Sequence, residues 1–244
     1  MLSLTFDIDW APDWAVALCA DICQKAGVKA TFFATHAADV LKDLATEDRF
    51  EIGIHPNFLP GSSHGVKTSE VVDHVLTIAP QAKAMRTHAL VQSSPIFAGI
   101  VADTDIDTDV SLFLPFHPML APTKIYFEAG GRPLVRLPYY WEDDVAACWP
   151  GWSWDSVVED APGQLRIYDF HPIHIALNMS TMNEYARLKA ELKGRPLTSL
   201  TRAECLPFIN QGKGARNYLE QLVAMGNGQR FQRISDITQT YLEA

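Results

Sequence analysis

Acidic, histidine and arginine side chains follow several short apolar segments of the sequence, and these residue types can hold a metal ion and move protons. Asp7 and Asp9 follow the first segment, His55 follows a later one, and Arg86 follows the next. A final apolar segment ends in the sequence Asp-Phe-His-Pro-Ile-His at residues 169–174. One carboxylate and two imidazoles suit a catalytic zinc ion with an open position for water. The sequence therefore predicts a metal site with proton-transfer groups beside it.

The two aspartates at the end of the first segment are two residues apart. In an extended strand, residues i and i+2 face the same side, so both carboxylates are predicted to point into one cavity. Two like charges that close raise one pKa unless a cation lies beside them. A divalent metal ion or Arg86 would supply that cation, whereas a plain turn with two capping aspartates would need neither. His55 and His171, at equivalent segment ends, favour the first interpretation.

The sequence predicts Asp9 and His55 as metal ligands and leaves the second histidine open. His64 lies nine residues after His55, and the glycine and prolines between them allow the loop to fold back. His88 is the alternative ligand, or a residue that contacts the substrate. Zinc is the metal we expect, with cobalt, nickel and manganese as alternatives.

Two histidines near the end of the last apolar segment are candidates for the proton donor. We expect His171 to be the catalytic acid, with His174 as the alternative. Asp169 is expected to hold a nitrogen of one of these rings and so to fix its tautomer. The acidic run at 142–144 either positions the donor histidine, binds substrate hydroxyls or forms a solvated face.

Short apolar segments alternate with amphipathic ones through the first half of the chain, which indicates βα units and a largely parallel sheet. In such folds the functional site forms at the carboxyl ends of the strands. Strands are predicted at 2–7, 29–35, 51–54, 82–85, 134–137 and 165–170, and helices at 11–26, 68–78, 94–101, 214–225 and 235–242.

Length and composition indicate one globular domain. The chain has 244 residues, of which 48% are hydrophobic and 20% charged, and α/β barrels use this length as a single domain. The net charge of -9 argues against nucleic acid as a partner, because nucleic acid attracts basic surfaces. No apolar stretch approaches the roughly 20 residues that span a bilayer, and the start lacks a basic, apolar signal segment. We therefore expect a cytoplasmic protein without a membrane span; its oligomeric state is left open.

Five motifs occur in a fixed order along the chain. They are Leu-Thr-Phe-Asp-Ile-Asp-Trp at 4–10, Lys-Ala-Thr-Phe-Phe at 29–33, Glu-Ile-Gly-Ile-His at 51–55, Arg86, and Asp-Phe-His-Pro at 169–172. Together they resemble the NodB-like polysaccharide deacetylases, the carbohydrate esterase family four homology domain. The segments at 55–58, 92–94, 140–144 and 170–174 resemble the WbmS-like subgroup of that family more closely.

This resemblance implies an α/β fold, a distorted (β/α) barrel with about seven parallel strands. It also implies a metal-dependent hydrolase that removes an acetyl or formyl group from an amino sugar or a polysaccharide precursor. Asp7 would be the base that activates water, Arg86 would orient Asp7, and His171 would protonate the departing amine. With the residue-based candidates added, the predicted catalytic residues are Asp7, His171, Arg86 and Asp169; the predicted metal ligands are Asp9, His55 and His64; and the predicted substrate-binding residues are Trp10, Asn57, His88, Tyr140, Trp141, Glu142 and His174.

Two features depart from the family pattern and keep other functions open. Ile8 separates the two aspartates, which the family places side by side, and Leu59 stands where the family has its second histidine. A hydrolase of a non-sugar amide and a non-catalytic carbohydrate-binding relic are therefore alternatives, whereas the chain lacks the Gly-x-Ser-x-Gly elbow of many serine hydrolases. The motifs cover residues 2–178, and we expect 179–244 to be a helical part of the same domain, with a role that the sequence does not define.

Overall fold

Strands and helices alternate through most of the chain in the computed structural model, which describes residues 1–128, 130–156, 158, 162–225 and 230–243. Within these residues nine strands form one sheet. The strands are β1 Leu2–Asp7, β2 Ala30–Ala34, β3 Phe50–Ile54, β4 Ala84–Met85, β5 Thr108–Asp109, β6 Thr123–Tyr126, β7 Pro133–Arg136, β8 Trp141–Glu142 and β9 Arg166–Phe170. The α-helices are α1 Asp13–Ala26, α2 Asp39–Leu44, α3 Thr68–Ile78, α4 Ser94–Asp103, α5 Asp143–Cys148, α6 Pro172–Leu177, α7 Met182–Leu192, α8 Arg202–Cys205, α9 Ala215–Ala224 and α10 Ile234–Glu243.

The sheet is curled and mostly parallel. Its order is β6-β7-β5-β4-β3-β2-β1-β9-β8, and β6 and β7 form its antiparallel pair. Only residues 137–140 separate β7 from β8, although β7 pairs with β5 and β8 pairs with β9. This short stretch therefore carries the chain from one side of the curled sheet to the other, where the amide of Tyr140 donates to the carbonyl of Ile167 at 3.0 Å.

The strand β1 shows how the sequence sorts its side chains between the two faces of the sheet. Leu4 and Phe6 face outward into a fully buried apolar cluster that also contains residues of α1, α6 and α9. Thr5 and Asp7 alternate with them, as period-two strands require, and are buried on the inner face. The inner face of the barrel is thus polar where β1 ends.

The opposite, amino-terminal end of the barrel is closed by the C-terminal helix α10. Ile234 and Ile237 of this helix are fully buried in an apolar cluster with inward side chains such as Val135. The Thr238 hydroxyl lies 2.9 Å from that of Thr108 on β5. The barrel therefore has a packed floor, and its polar end faces the other way.

The structure confirms the predicted α/β class with a largely parallel, barrel-like sheet. It has more strands than expected, and two of the additional ones, β5 and β8, are only two residues long, too short to give a hydrophobic pattern. Helix α1 ends as predicted at Gly27, whose φ of 69° suits a residue without a β-carbon. No helix in the described ranges is both long and apolar enough to cross a bilayer.

Candidate active site

The polar side chains that follow β1, β3, β4 and β9 meet at the carboxyl-terminal edge of the sheet. These strands share this edge because they are parallel: Thr5 of β1 lies beside Asp169 of β9, and Ile54 of β3 lies beside Met85 of β4. The structure brings Asp7, Asp9, His55, Arg86, His88, Asp169, His171 and Glu142 together at or just beyond that edge. The prediction that these strand ends converge is confirmed.

Asp9 and Trp10 form a left-handed turn immediately after β1. Their φ angles are 37° and 55°, a region that side-chain-bearing residues seldom occupy. The Trp10 amide donates to the Thr35 hydroxyl at 3.1 Å, and the Ala11 amide donates to the carbonyl of Ile8 at 2.7 Å. The predicted extended geometry from Asp7 to Asp9 is therefore wrong, because the strand ends at Asp7 and the chain turns there.

Both aspartates nevertheless face one cavity, as the spacing predicted. Nε2 of His55 lies 3.5 Å from a carboxylate oxygen of Asp7 and 3.2 Å from one of Asp9. The turn sends the two carboxylates to different partners: Asp7 meets Arg86, and Asp9 meets His88.

Asp9, His55 and His88 form a group that could hold a metal ion. One ligand atom from each lies within 4.8 Å of the other two; His88 Nδ1 is 3.2 Å from Asp9 and 3.4 Å from His55 Nε2. Nδ1 of His55 lies 2.7 Å from the carbonyl oxygen of Arg86, so this nitrogen carries the proton and Nε2 offers its lone pair to the cluster. Such a backbone contact on the second ring nitrogen is typical of metal-binding histidines.

The electrostatics of this group also fit a cation. Burial by itself raises the pKa of Asp9, but hydrogen bonds to His55 and His88 and the charges of nearby histidines outweigh it and hold the pKa well below its usual value. Asp9 is therefore ionised. A carboxylate with two imidazoles is the donor set expected for a catalytic zinc site.

His64, the predicted second histidine ligand, lies apart from this group. Its Nδ1 accepts a hydrogen bond from the Asn57 amide at 3.1 Å, and its ring stacks on His74 with centroids 4.8 Å apart. Burial, followed by repulsion from His74, lowers the pKa of His64 to about 4. Of the two histidines left open by the sequence, the described residues place His88 rather than His64 beside Asp9 and His55.

Arg86 lies between two aspartates in the interior of the barrel. Its guanidinium donates to Asp7 at 2.8 Å and also to Asp169, and all three side chains are buried. The rings of Phe33 and Tyr139 lie 4.8 and 4.4 Å from its central carbon. The predicted pairing of Arg86 with Asp7 is present, and it fixes one oxygen of that carboxylate while the other faces His55.

His171 and His174 share one carboxylate, and it belongs to Asp143 rather than to the predicted Asp169. One Asp143 oxygen lies 2.8 Å from Nδ1 of His171 and 3.0 Å from Nδ1 of His174, and the other accepts from the His171 amide at 2.9 Å. Asp169 instead accepts from Arg86 and from the Thr5 hydroxyl. The sequence favoured Asp169 because it is only two residues from His171 along the chain, whereas Asp143 is 28 residues away.

The shared carboxylate leaves His171 ready to donate a proton. Burial lowers the pKa of the ring, but the charge of Asp143 and its hydrogen bond dominate and raise that pKa well above its usual value. Nε2 of His171 points toward Asp9, 3.7 Å from its carboxylate. A protonated imidazole therefore faces the same space as the Asp9–His55–His88 group.

Glu142 is a further acidic group on the inner face. It accepts a hydrogen bond from the Tyr139 hydroxyl at 2.9 Å, and one of its oxygens lies within 4.8 Å of ligand atoms from Asp7, Asp169 and His171. Burial and then repulsion from Asp144 raise the pKa of Glu142 to about 8. Glu142 is therefore neutral at a pH where Asp9 is charged.

The other predicted substrate-binding residues divide between the site and the core. Trp10 lies at the site, with its ring edge on His88 at 5.2 Å. The Asn57 side chain accepts from the Leu59 amide at 3.0 Å and so holds its own loop. Trp141 was a wrong prediction, because only 1% of it is exposed and it packs in the core. Tyr140 packs under the Arg166 guanidinium at 4.4 Å, near the start of β9 rather than its end.

Two comparisons connect this geometry to known proteins. The WbmS-like polysaccharide deacetylase family matches residues 4–189. Among solved structures, the chain is similar to WbmS of Bordetella bronchiseptica, described as a putative polysaccharide deacetylase involved in O-antigen biosynthesis, with 32% identity and a TM-score of 0.78 over 92% of this chain and 90% of that one. No curated protein matches the sequence significantly.

Proposed function

Because the chain belongs to the WbmS-like polysaccharide deacetylases, we propose that it removes an acetyl or formyl group from the nitrogen of an amino sugar in a polysaccharide precursor. The likeness to WbmS extends this proposal to precursors of O-antigen. One observation carries it: a buried carboxylate, Asp7, and a protonated imidazole, His171, both face the Asp9–His55–His88 group.

Asp9, His55 and His88 are the residues that would hold the divalent ion, for which zinc is our first choice. When bound, a zinc ion polarises an acyl oxygen and makes water a stronger acid. Backbone contacts hold two of these residues in place, since the Arg86 carbonyl orients the His55 ring and the His88 amide donates to the carbonyl of Pro56 at 2.9 Å.

Asp7 is the group that accepts a proton from the attacking water in this proposal. Its carboxylate is buried away from solvent, and Arg86 donates a hydrogen bond to one of its oxygens at 2.8 Å. The other oxygen lies toward the cavity beside His55. A carboxylate fixed in this way can serve as general base without rearranging.

His171 is the group that gives a proton to the departing amine. An amine leaves poorly unless it is protonated, and His171 is kept protonated by Asp143. Its Nδ1 is engaged with that carboxylate, so Nε2 is the atom that faces the substrate. His174 shares Asp143 but is a helix residue inside α6 and almost fully buried, which favours His171 as the donor.

The proposal is tested by product analysis with zinc-loaded protein on N-acetyl and N-formyl amino sugars, free and nucleotide-linked, with small cyclic amides as the rival substrates. We expect release of acetate or formate from a sugar, and loss of turnover in Asp7→Asn with the metal retained. Asp21→Asn, on the exposed face of α1, is the matched control. Turnover of cyclic amides alone, or full activity of Asp7→Asn, would overturn the proposal.

A further inference from the structure

Tyr185 places a phenol ring beside the proposed proton donor. The residue lies in α7, whose first turn is fixed by Thr181 and Glu184 in a capping box. Its ring packs edge-on against the His174 imidazole with centroids 5.0 Å apart. The His174 ring in turn lies 4.8 Å from that of His171. Tyr185 is therefore separated from the donor histidine by a single aromatic ring.

The hydroxyl of Tyr185 has no protein partner among the described residues. Its ring contacts the His174 imidazole, and the Lys189 ammonium lies 5.4 Å from the ring centroid. By contrast, Tyr139, the other tyrosine near this site, gives its hydroxyl to Glu142. Partly buried tyrosine hydroxyls usually find a hydrogen-bond partner, so an unengaged one beside a reactive group is free to bind a ligand.

Charged groups of the candidate site act on the Tyr185 phenol. Burial raises the pKa of Tyr185, and the negative charge of Asp9 adds to the effect while His171 opposes it. The phenol thus keeps its proton near neutral pH, and it lies close enough to Asp9 and His171 for both charges to act on it. A sugar whose amide lies between Asp7 and His171 would carry hydroxyl groups on the carbons next to the amide-bearing carbon.

We propose that Tyr185 is a substrate-binding residue that donates its hydroxyl to a sugar hydroxyl next to the N-acyl group. This inference rests on the proposed function, and it assigns part of substrate selection to the helical segment after residue 178. Its chemical consequence is selectivity for pyranosides that carry a free hydroxyl beside the amide over simple alkyl amides, which lack that group.

The test uses Tyr185→Phe, which keeps the ring on His174 and removes only the oxygen. Binding of an N-acetyl amino sugar is measured by calorimetry in zinc-loaded Asp7→Asn, with and without Tyr185→Phe, so that the result does not depend on turnover. We expect affinity to fall about fivefold to tenfold, the value of one neutral hydrogen bond, with metal content unchanged. Tyr126→Phe, on the exposed strand β6, should bind as the parent does.

A panel of monodeoxy sugars identifies the partner. If Tyr185 binds a hydroxyl next to the amide, the substitution and the removal of that hydroxyl will each weaken binding, and together they will cost no more than one alone. Equal penalties from Tyr185→Phe for every deoxy sugar, or no penalty at all, would overturn the inference. Sugar binding without turnover in the wild-type protein would contradict the proposed reaction but not the binding role of Tyr185.

Discussion

At the scale of single residues, the site works by giving chemically similar groups different surroundings. Asp7 is paired with Arg86, Asp9 lies among imidazoles, and Glu142 faces a tyrosine hydroxyl and other acids. Only the last of these lacks a neighbouring cation at hydrogen-bond distance among the described residues. The pKa of Asp9 is therefore lowered while that of Glu142 is raised, although both lie within one small volume.

The choice between His88 and His64 as metal ligand is testable by counting bound metal. His88→Ala should lose most of its zinc, because it removes one of three grouped ligand atoms. His64→Ala should keep near-stoichiometric zinc, because its ring is engaged with Asn57 and His74. The measurement is elemental analysis after dialysis against a weak chelator. Zinc loss in the His64 variant with retention in the His88 variant would reverse the assignment.

The proton on Glu142 makes stability depend on pH in a predictable direction. The pKa of Glu142 is about 8 in the folded protein and about 4.3 in an unfolded chain, so between these values only the folded protein binds the proton. Its stabilising effect is complete below the lower pKa and is lost as pH rises through the window. Each pKa unit is worth about 1.4 kcal/mol, which limits the effect to about 5 kcal/mol.

Glu142→Gln should remove the pH dependence of stability that the Glu142 proton causes. Urea unfolding of the metal-free protein at about pH 5.5 and about pH 9 should show a larger loss of stability in the wild type than in the variant. Glu191→Gln, on the exposed face of α7, is the control and should follow the wild type. Parallel losses in wild type and Glu142→Gln would show that Glu142 titrates normally.

At the scale of elements, two proposed metal ligands are carried by left-handed turns rather than by regular strands. Asp9 and Trp10 form one, and Ala89 and Leu90, directly after His88, form the other. Left-handed backbone costs roughly 1–2 kcal/mol per residue with a side chain, so neighbouring contacts must hold these turns. Gln92 holds the second, because its amide donates to the carbonyls of Leu90 and Ser111 at 3.3 and 2.9 Å.

Glycine substitutions measure the strain in the second turn. Ala89→Gly removes the steric cost of a φ of 51°, which offsets the added flexibility of glycine. Ala102→Gly, at an exposed position inside α4, should instead cost about 1 kcal/mol. The free energy of unfolding, measured with urea, should therefore be about 1–2 kcal/mol higher for Ala89→Gly than for Ala102→Gly. Equal destabilisation by both substitutions would show that the turn is unstrained.

The strand ends and their partners show which parts of the site the sequence could predict. The strand ends were predictable because each apolar run stops at a charged residue or histidine, and parallel strands bring such ends together. The sequence offered both Asp169 and the acidic run at 142–144 as partners of the donor histidine, and only the pairing of β8 with β9 shows that Asp143 is the one. Tyr185 belongs to no motif, and only the fold shows its ring beside His174.

At the scale of the whole molecule, the barrel is closed at one end and carries the candidate site at the other. Helix α10 fills the amino-terminal end, and its start is tied to the strands by the Ile234 amide, which donates to Thr31 at 3.1 Å, and by the Ser235 amide, which donates to Glu51 at 3.0 Å. We propose on this basis that 179–244 belongs to the same domain as the motif-bearing part. The C-terminal helix supports the strands whose far ends carry the site.

Substitutions in α10 test this dependence. Ile237→Ala should lower the free energy of unfolding by about 2–4 kcal/mol, the usual cost of truncating a buried isoleucine, because Ile237 is fully buried in the barrel floor. Leu242→Ala, at a position that is 44% exposed, should change it by less than about 0.5 kcal/mol. If the two variants unfold at the same urea concentration, the helix is an appendage rather than part of the barrel.

The indole of Trp10 has a practical consequence, because its ring centroid lies 5.2 Å from that of a proposed metal ligand, His88. Paramagnetic ions such as cobalt(II) or copper(II) quench indole fluorescence at such short range, whereas zinc does not. Titrating these ions into the apoprotein should lower the fluorescence intensity of Trp10, and zinc added first should prevent this decrease. The protein thus carries its own optical reporter of metal occupancy, which Trp10→Phe would silence.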